Sequence, residues 1–312
     1  MKLSLVIPCY NEEGNVEKFF DLVTEVFEGK VEDYEFVFVN DGSKDDTRKK
    51  LKELYYNKNS RNNIQVLSFS RNFGKEAAIY AGLSKVKGDV VCLIDADLQQ
   101  RPEVVLEMLE VMNSDDDIDC VTAYQEKRKE GKAISAVKSV FYKIINKVSD
   151  VEFVNGASDF RLMKRSVVDA LLQMTEYHRF SKGMFSYVGF RTEYIPYVVA
   201  ERESGESKWG VKKLIKYALE GIFAFSTMPL KISMLIGILF ALLSVCGFIG
   251  SVFLSSALAV STLLIISSLF FVGGILLICL GIIGEYLSKM YVQGKDRPVY
   301  ILKEYLSYEK TD

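Results

Sequence analysis

Val90-Val-Cys-Leu-Ile-Asp-Ala-Asp97 is a run of apolar and β-branched residues that stops on two carboxylates one residue apart. Such a run reads as a buried strand whose end holds Asp95 and Asp97 at the carboxyl edge of a sheet, where open α/β sheets place their ligands. Paired hard oxygen donors suit Mg²⁺ or Mn²⁺ carrying a phosphate. A polar turn that merely ends a strand has the same composition, so the neighbouring loops must decide between the two.

Residues 3–7, 36–39 and 64–67 are further short apolar runs, and residues 16–27, 45–56 and 75–84 between them repeat apolar side chains at three and four. This alternation predicts a mostly parallel sheet with helices on both faces. Every predicted strand runs into a loaded loop: Pro8-Cys-Tyr-Asn-Glu12, Asn40-Asp-Gly-Ser43, Ser70-Arg-Asn-Phe-Gly-Lys75 and Asp95-Ala-Asp97. A dinucleotide-binding turn needs G-x-G-x-x-G to bring its backbone against a pyrophosphate, and the first loop has no such pattern. It offers a ring, an amide and a carboxylate, groups suited to a nucleoside. The loops therefore point to a nucleoside diphosphate and away from hydride transfer.

The 312 residues are 49% hydrophobic with net charge −2, and nucleic acid is not expected among the partners. Hydrophobicity is concentrated. Residues 232–284 are 53 positions without Asp, Glu, Lys, Arg or His, whereas a membrane-spanning helix needs roughly 20. Two spans are expected, at 232–254 and 260–284. Lys208, Lys212, Lys213, Lys216 and Lys231 precede them and Lys289, Lys295, Arg297 and Lys303 follow, which puts both flanks, the large domain and both termini on the cytoplasmic side of a cell membrane. Asn11, Glu12 and Glu13 interrupt the first apolar run, so no signal peptide is expected. The five cysteines are scattered through apolar stretches without a C-x-x-C pair, which argues against disulfides and zinc. His178 is the single histidine, which excludes Ser-His-Asp triads and His-rich metal sites.

Ile7-Pro-Cys-Tyr-Asn-Glu-Glu13, Val39-Asn-Asp-Gly-Ser43, Ser70-Arg-Asn-Phe-Gly-Lys-Glu-Ala-Ala78, Asp95-Ala-Asp-Leu-Gln99, Gly156-Ala-Ser-Asp-Phe-Arg-Leu162 and Glu201-Arg-Glu-Ser-Gly-Glu-Ser-Lys-Trp209 follow one another in order. Together with Gly284-Glu-Tyr-Leu287, they resemble the successive motifs of family 2 glycosyltransferases. The closer likeness is to the polyprenyl-phosphate group, the bactoprenol glucosyltransferases and dolichol-phosphate mannosyltransferases that end in two transmembrane helices. The resemblance implies a GT-A fold and transfer of a sugar from a nucleotide donor to a lipid phosphate. It implies that Pro8, Tyr10, Glu12 and Asp41 hold the nucleoside, with Arg71 and Lys75 near the base or the diphosphate. Asp95 would contact the ribose side or the metal, Asp97 the metal directly, and Gln99 would complete the metal surroundings. Asp159 matches the family's catalytic carboxylate; the competing reading makes it a cap for a helix starting near Leu162.

A departing nucleoside diphosphate needs its growing charge stabilised, which a divalent cation does as a Lewis acid. A lipid monophosphate has a second pKa near 6 and is already a nucleophile at neutral pH, so Asp159 need not be a strong base. It could orient the acceptor, take a residual proton or stabilise positive charge at the anomeric carbon, and direct displacement would invert that centre. Arg161 is expected to pair with a carboxylate. Arg128, Arg202, Ser207 and Lys208 are the candidates for the lipid phosphate, close to an amphipathic stretch at 211–225 that suits the headgroup layer.

The expected divisions are a catalytic domain over residues 1–204, an interfacial region over 205–229, a transmembrane hairpin over 230–284 and a cytosolic tail over 285–312. Residues 178–183 are another family-like segment, which the resemblance puts beside the acceptor entrance with no catalytic role, the competing reading being a loop before a strand near 191–197; residues 297–301 read as an added strand or a contact in a homo-oligomer. The expected reaction moves glucose or N-acetylglucosamine from a UDP-sugar to undecaprenyl phosphate; UDP is preferred to GDP only through the resemblance. The alternatives are a GDP-mannose-dependent enzyme, a processive polysaccharide synthase, which would need more spans and a Gln-x-x-Arg-Trp motif, and a non-catalytic nucleotide-sugar sensor.

Overall fold

A computed structural model of the chain describes residues 1–125, 157–198, 228–251 and 258–307. Within them, β1 (Leu3–Cys9), β2 (Tyr34–Asn40), β3 (Ile64–Phe69), β4 (Val90–Leu93), β5 (Cys120–Gln125), β6 (Ala157–Lys164), β7 (Thr192–Tyr197) and β8 (Leu302–Leu306) form one sheet. Its order is β7-β5-β6-β4-β1-β2-β3-β8. The β4-β1-β2-β3 half is parallel, as expected, while β6 and β8 run antiparallel to their neighbours.

Side chains alternate across the strands and build two apolar layers. Leu3, Leu5, Ile7, Phe36 and Phe38 face one side, where α1 (Val16–Phe27), α2 (Thr47–Asn62) and α4 (Glu103–Ser114) cover them. Val6, Val37, Val39 and Leu67 face the other, under α3 (Lys75–Leu83), α5 (Arg165–Gln173) and α6 (Ser181–Tyr187). α1 buries Val16, Phe19, Phe20, Val23 and Phe27, the three-and-four stripe read from the sequence. On the opposite face, Gly82 lets α3 sit tight against the sheet, since a Cβ there would fall 2.4 Å from Val6 Cγ1.

The chain leaves β1 for β2 on one side, and β4 lies on the other. Their diverging loops open a crevice at this switch point, where such sheets bind ligands. Downstream lie α7 (Met228–Ser251) and α8 (Leu258–Gln293), which pack together through Phe240 and Phe271, with ring centroids 4.8 Å apart. Among the described residues one segment, Phe271–Gln293, is long and apolar enough to cross a membrane, and Pro229–Phe240 is a shorter apolar stretch. That segment starts well inside the expected second span and ends nine residues beyond it, because α8 continues unbroken past Glu285 and Lys289.

The chain departs from the expected pattern at three places. Asp159 lies inside β6 and α5 begins at Arg165, so Asp159 is not the cap of a helix starting near Leu162. The added strand is at Leu302–Leu306, just beyond 297–301, and pairs antiparallel with β3. Within 178–183, only the first residues form a loop; α6 begins at Ser181.

Candidate active site

The crevice is a cavity of about 580 Å³ lined by the ends of β1, β2 and β4 and the start of α3. Pro8, Tyr10, Glu12, Asp41, Lys75, Asp95 and Asp97 line it together, and so do Cys9, Asn72, Gly74 and Ala96, which the sequence had not singled out. Asn11 and Leu98 adopt left-handed backbone, with φ of 57° and 60°. Such conformations are uncommon outside glycine and concentrate where a site dictates the turn.

Asp41 has a supporting task beyond lining the cavity. Its carboxylate accepts from Phe73 N at 2.6 Å, Gly74 N at 3.0 Å and Asn72 Nδ2 at 2.8 Å, and so fixes the loop that leads into Lys75. Burial raises its pKa, opposed by those two backbone donors and by Arg71. Gly42 is what lets the two loops meet: its φ is +61°, and a Cβ there would lie 2.2 Å from the Arg71 carbonyl carbon. Arg71 itself is exposed and turns onto the Phe73 ring, 4.0 Å from the centroid. Glu12 accepts from Asn15 Nδ2 at 2.6 Å, and its pKa is raised by burial and by the negative charges of Asp97, Asp95 and Asp45.

Lys75 sits at the centre. Its ammonium lies 2.8 Å from Asp95 and 3.1 Å from Asp159, so one cation joins the Asp-x-Asp loop to the carboxylate on β6. Burial pulls the Lys75 pKa down, but the two carboxylates outweigh it and the net shift is upward. For Asp159, burial raises the pKa, and Lys75, Lys182 and Arg161 outweigh that, holding it down to about 2. It is ionised throughout the physiological range. Asp95 also accepts from Gln100 Nε2 at 3.2 Å and donates its N–H to Gln100 Oε1 at 2.8 Å. The glutamine side chain against the pair is therefore Gln100, one residue beyond the expected Gln99, whose contribution is a backbone N–H to Asp97 Oδ1 at 3.1 Å. The left-handed turn at Leu98 separates the two roles.

A second set of groups reaches Asp159 from α6. Glu76, next to Lys75, accepts from the Ser181 N–H at 3.0 Å and from its hydroxyl. Burial and the charge of Asp159 push Glu76 up to about 7, against the pull of Ser181 and Lys75. Arg161 is buried, donates to Ser158 O at 2.9 Å and lies over the Phe185 ring at 3.5 Å. It stacks on a ring, where a carboxylate partner was expected. Of the lipid-phosphate candidates, Arg128, Arg202, Ser207 and Lys208 all lie outside the described residues.

Among the described residues no group of three or more Asp, Glu, His or Cys side chains gathers for a metal. Asp95 and Asp97 at the cavity wall still fit a divalent cation of the Mg²⁺ kind, which takes one or two carboxylates from the protein and its remaining ligands from phosphate and water.

A nucleotide-sized cavity at the switch point of a mostly parallel sheet, walled by an Asp-x-Asp pair, defines a transferase of the GT-A architecture. The chain belongs to glycosyl transferase family 2, whose description matches residues 4–172. It is 38% identical over 305 residues to the putative glycosyltransferase CsbB of Bacillus subtilis, covering 97% of this chain and 91% of that protein. It is 39% identical over 310 residues to a prophage bactoprenol glucosyl transferase homolog of Escherichia coli, covering 97% and 99%. Among solved structures, mannosyl-3-phosphoglycerate synthase from Rubrobacter xylanophilus shares the fold at 16% identity and TM-score 0.51, over 71% of this chain and 72% of that one.

Proposed function

We propose that this chain transfers glucose, with inversion, from UDP-glucose to the phosphate of a membrane polyprenyl phosphate. The observation that carries the proposal is the single ammonium of Lys75 between Asp95 and Asp159. In this reading the carboxylate suited to the acceptor side lies beside the Asp-x-Asp loop suited to a cation that carries the donor's diphosphate. The nearly full-length likeness to bactoprenol glucosyl transferases supports the choice of glucose and of a lipid acceptor.

In this reading Pro8, Tyr10 and Glu12 hold the nucleoside, while Asp41 keeps the 72–74 loop against it. Asp95 and Asp97, with Gln99 nearby, would hold a divalent cation, either Mg²⁺ or Mn²⁺. When bound, that ion neutralises charge on the departing diphosphate. Asp159, pinned as an anion, is too weak a base to deprotonate an alcohol. Its task is electrostatic: it favours positive charge at the anomeric carbon and orients an acceptor that arrives already ionised. The apolar helices α7 and α8 hold the domain at the membrane with its catalytic side in the cytoplasm.

The test is to incubate membranes carrying the protein with labelled UDP-glucose, UDP-N-acetylglucosamine or GDP-mannose and polyprenyl phosphate, then extract the lipid. Label from UDP-glucose should enter the lipid fraction and return as a phosphate-linked β-glucoside. Label from GDP-mannose alone would select the mannosyl alternative, and no lipid label from any donor would remove the proposal.

A further inference from the structure

Among the described residues, Lys182 is a cation near Asp159 that lies outside the donor cavity. It lies at the second position of α6 and is partly buried. Among the described residues no carboxylate, carbonyl or hydroxyl accepts from its ammonium; its backbone carbonyl accepts from Ser186 Oγ at 3.4 Å. Its surroundings are strongly ionic. Burial lowers its pKa, Asp159 and Glu76 push it back up, and Arg161 and Lys75 lower it further.

Three cations thus converge on Asp159. Lys75 is shared with Asp95. Arg161 is committed to the Phe185 ring and Ser158 O, and among the described residues its buried Nε has no partner. Among the described residues Lys182 makes no ion pair, although Asp159 and Glu76 act on it. A part-dehydrated ammonium held without a partner costs free energy unless a ligand completes it. Lys182 is absent from the cavity lining, which runs from Pro8 to Asp97 and includes Lys75. It follows Ser181, which bonds Glu76 next to Lys75, so it belongs to the α6 side of the cluster, while Asp95 and Asp97 at the cavity wall are left to hold a cation for the donor's diphosphate.

We infer that Lys182 binds a phosphate monoester, the headgroup of the acceptor lipid, and holds its oxygen beside Asp159. The inference rests on the proposed lipid acceptor. A lysine suits this task because its ammonium grips phosphate as a point charge without fixing the ester's orientation. The positive charge of the buried Arg161, which also acts on Asp159, offsets repulsion between the incoming dianion and that carboxylate. Glu76, by bonding Ser181, sets the start of α6 and hence the position of Lys182.

Lys182 can be read without turnover, by amine acetylation of the full-length protein in detergent micelles followed by mass spectrometry. Polyprenyl phosphate should slow acetylation of Lys182 about tenfold, whereas the uncharged polyprenol and UDP-glucose should leave it unchanged. Protection by UDP-glucose equal to that by the lipid would overturn the inference and assign Lys182 to the donor. Lack of protection by either would also overturn it. Protection by polyprenyl phosphate in a protein that transfers no sugar would support the inference while removing the proposed reaction. In turnover, Lys182→Gln should raise the KM for the lipid about tenfold with the Kd for UDP kept, and Lys182→Arg should recover most of the loss. An unchanged lipid KM in Lys182→Gln would overturn the assignment.

Discussion

Asp97 and Glu76 sit close to the same ionic cluster, but substitution separates their roles. Asp97 is partly exposed at the cavity and closes a short turn with Gln99 N, so Asp97→Asn keeps that hydrogen-bond acceptor and removes only charge. Transfer should fall by about 10²–10³ or more, while the unfolding midpoint should move by no more than about 2 °C; a label-transfer assay and a thermal melt on the same preparation check both. Chelator should abolish wild-type transfer, and added Mn²⁺ or Mg²⁺ should restore it. Glu76 behaves differently, because its folded-state pKa is raised to about 7 from an ordinary 4.5. Between those values the folded state binds more protons than the unfolded one, so stability falls as pH rises. The neutral acid's contribution is complete below about pH 4.5 and is lost as pH passes through 7, a change on the order of 3 kcal/mol. Glu76→Gln should therefore match the wild type at pH 5 and be the more stable protein at pH 8, as thermal melts at the two values will show.

At the level of elements, the site depends on loops that touch, and Gly42 is where they do. Any side chain there meets the backbone at Arg71 and Asn72 in a left-handed conformation, so Gly42→Ala should cost roughly 1–3 kcal/mol and weaken UDP binding more than it weakens the fold, measurable by calorimetry beside a melt. The elements themselves were largely readable from periodicity. α1 runs over residues 16–27 as expected, because its five buried residues keep one face and polar residues fill the rest. β8 was misplaced by a few residues because Leu302-Lys-Glu-Tyr-Leu306 alternates only weakly and its partner strand lies over 230 positions upstream. The Asp-x-Asp pair was legible from its abrupt position at the end of a strand. Gln100 was not, because only the turn at Leu98 tells which of two adjacent glutamines faces Asp95. The bond between Glu76 and Ser181 crosses 105 residues, and Lys75 as a bridge to Asp159 needs β6 inserted antiparallel beside β4. Local pattern carries no trace of either.

Across the whole molecule, the chain leaves the sheet, passes through α7 and α8, and returns to seal the same sheet as β8. The free edge of β3 would otherwise expose unpaired backbone groups, a known route to aggregation. β8 closes it with several attachments: Tyr300 stacks on Phe69 with centroids 5.0 Å apart, Tyr305 Oη donates to Gln65 at 2.5 Å, and Glu304 pairs with Arg48 and Lys52 at 2.8 and 2.6 Å. Gln65 Nε2 in turn donates to the buried Glu35, so the tail reaches the centre of the sheet. At the end of α8, Gln293 Oε1 accepts from Tyr177 N at 2.8 Å, in the segment that leads into α6 and Lys182. The apolar helices are thereby tied at two points to the domain whose acceptor side they would serve. The two kinds of attachment differ in worth. The Glu304 pairs are part-exposed, and such pairs contribute about 0–1 kcal/mol, so Glu304→Gln should lower the melting midpoint by only a few degrees with transfer retained. Deleting residues 296–312 removes the strand, the Tyr300 stack and the Gln65 bond together and uncovers β3. That protein should elute as aggregate on size exclusion in detergent and melt about 10 °C or more below the wild type. A monodisperse deletion with wild-type transfer would show that the strand only decorates the sheet edge and that the helices hold the domain in place without it.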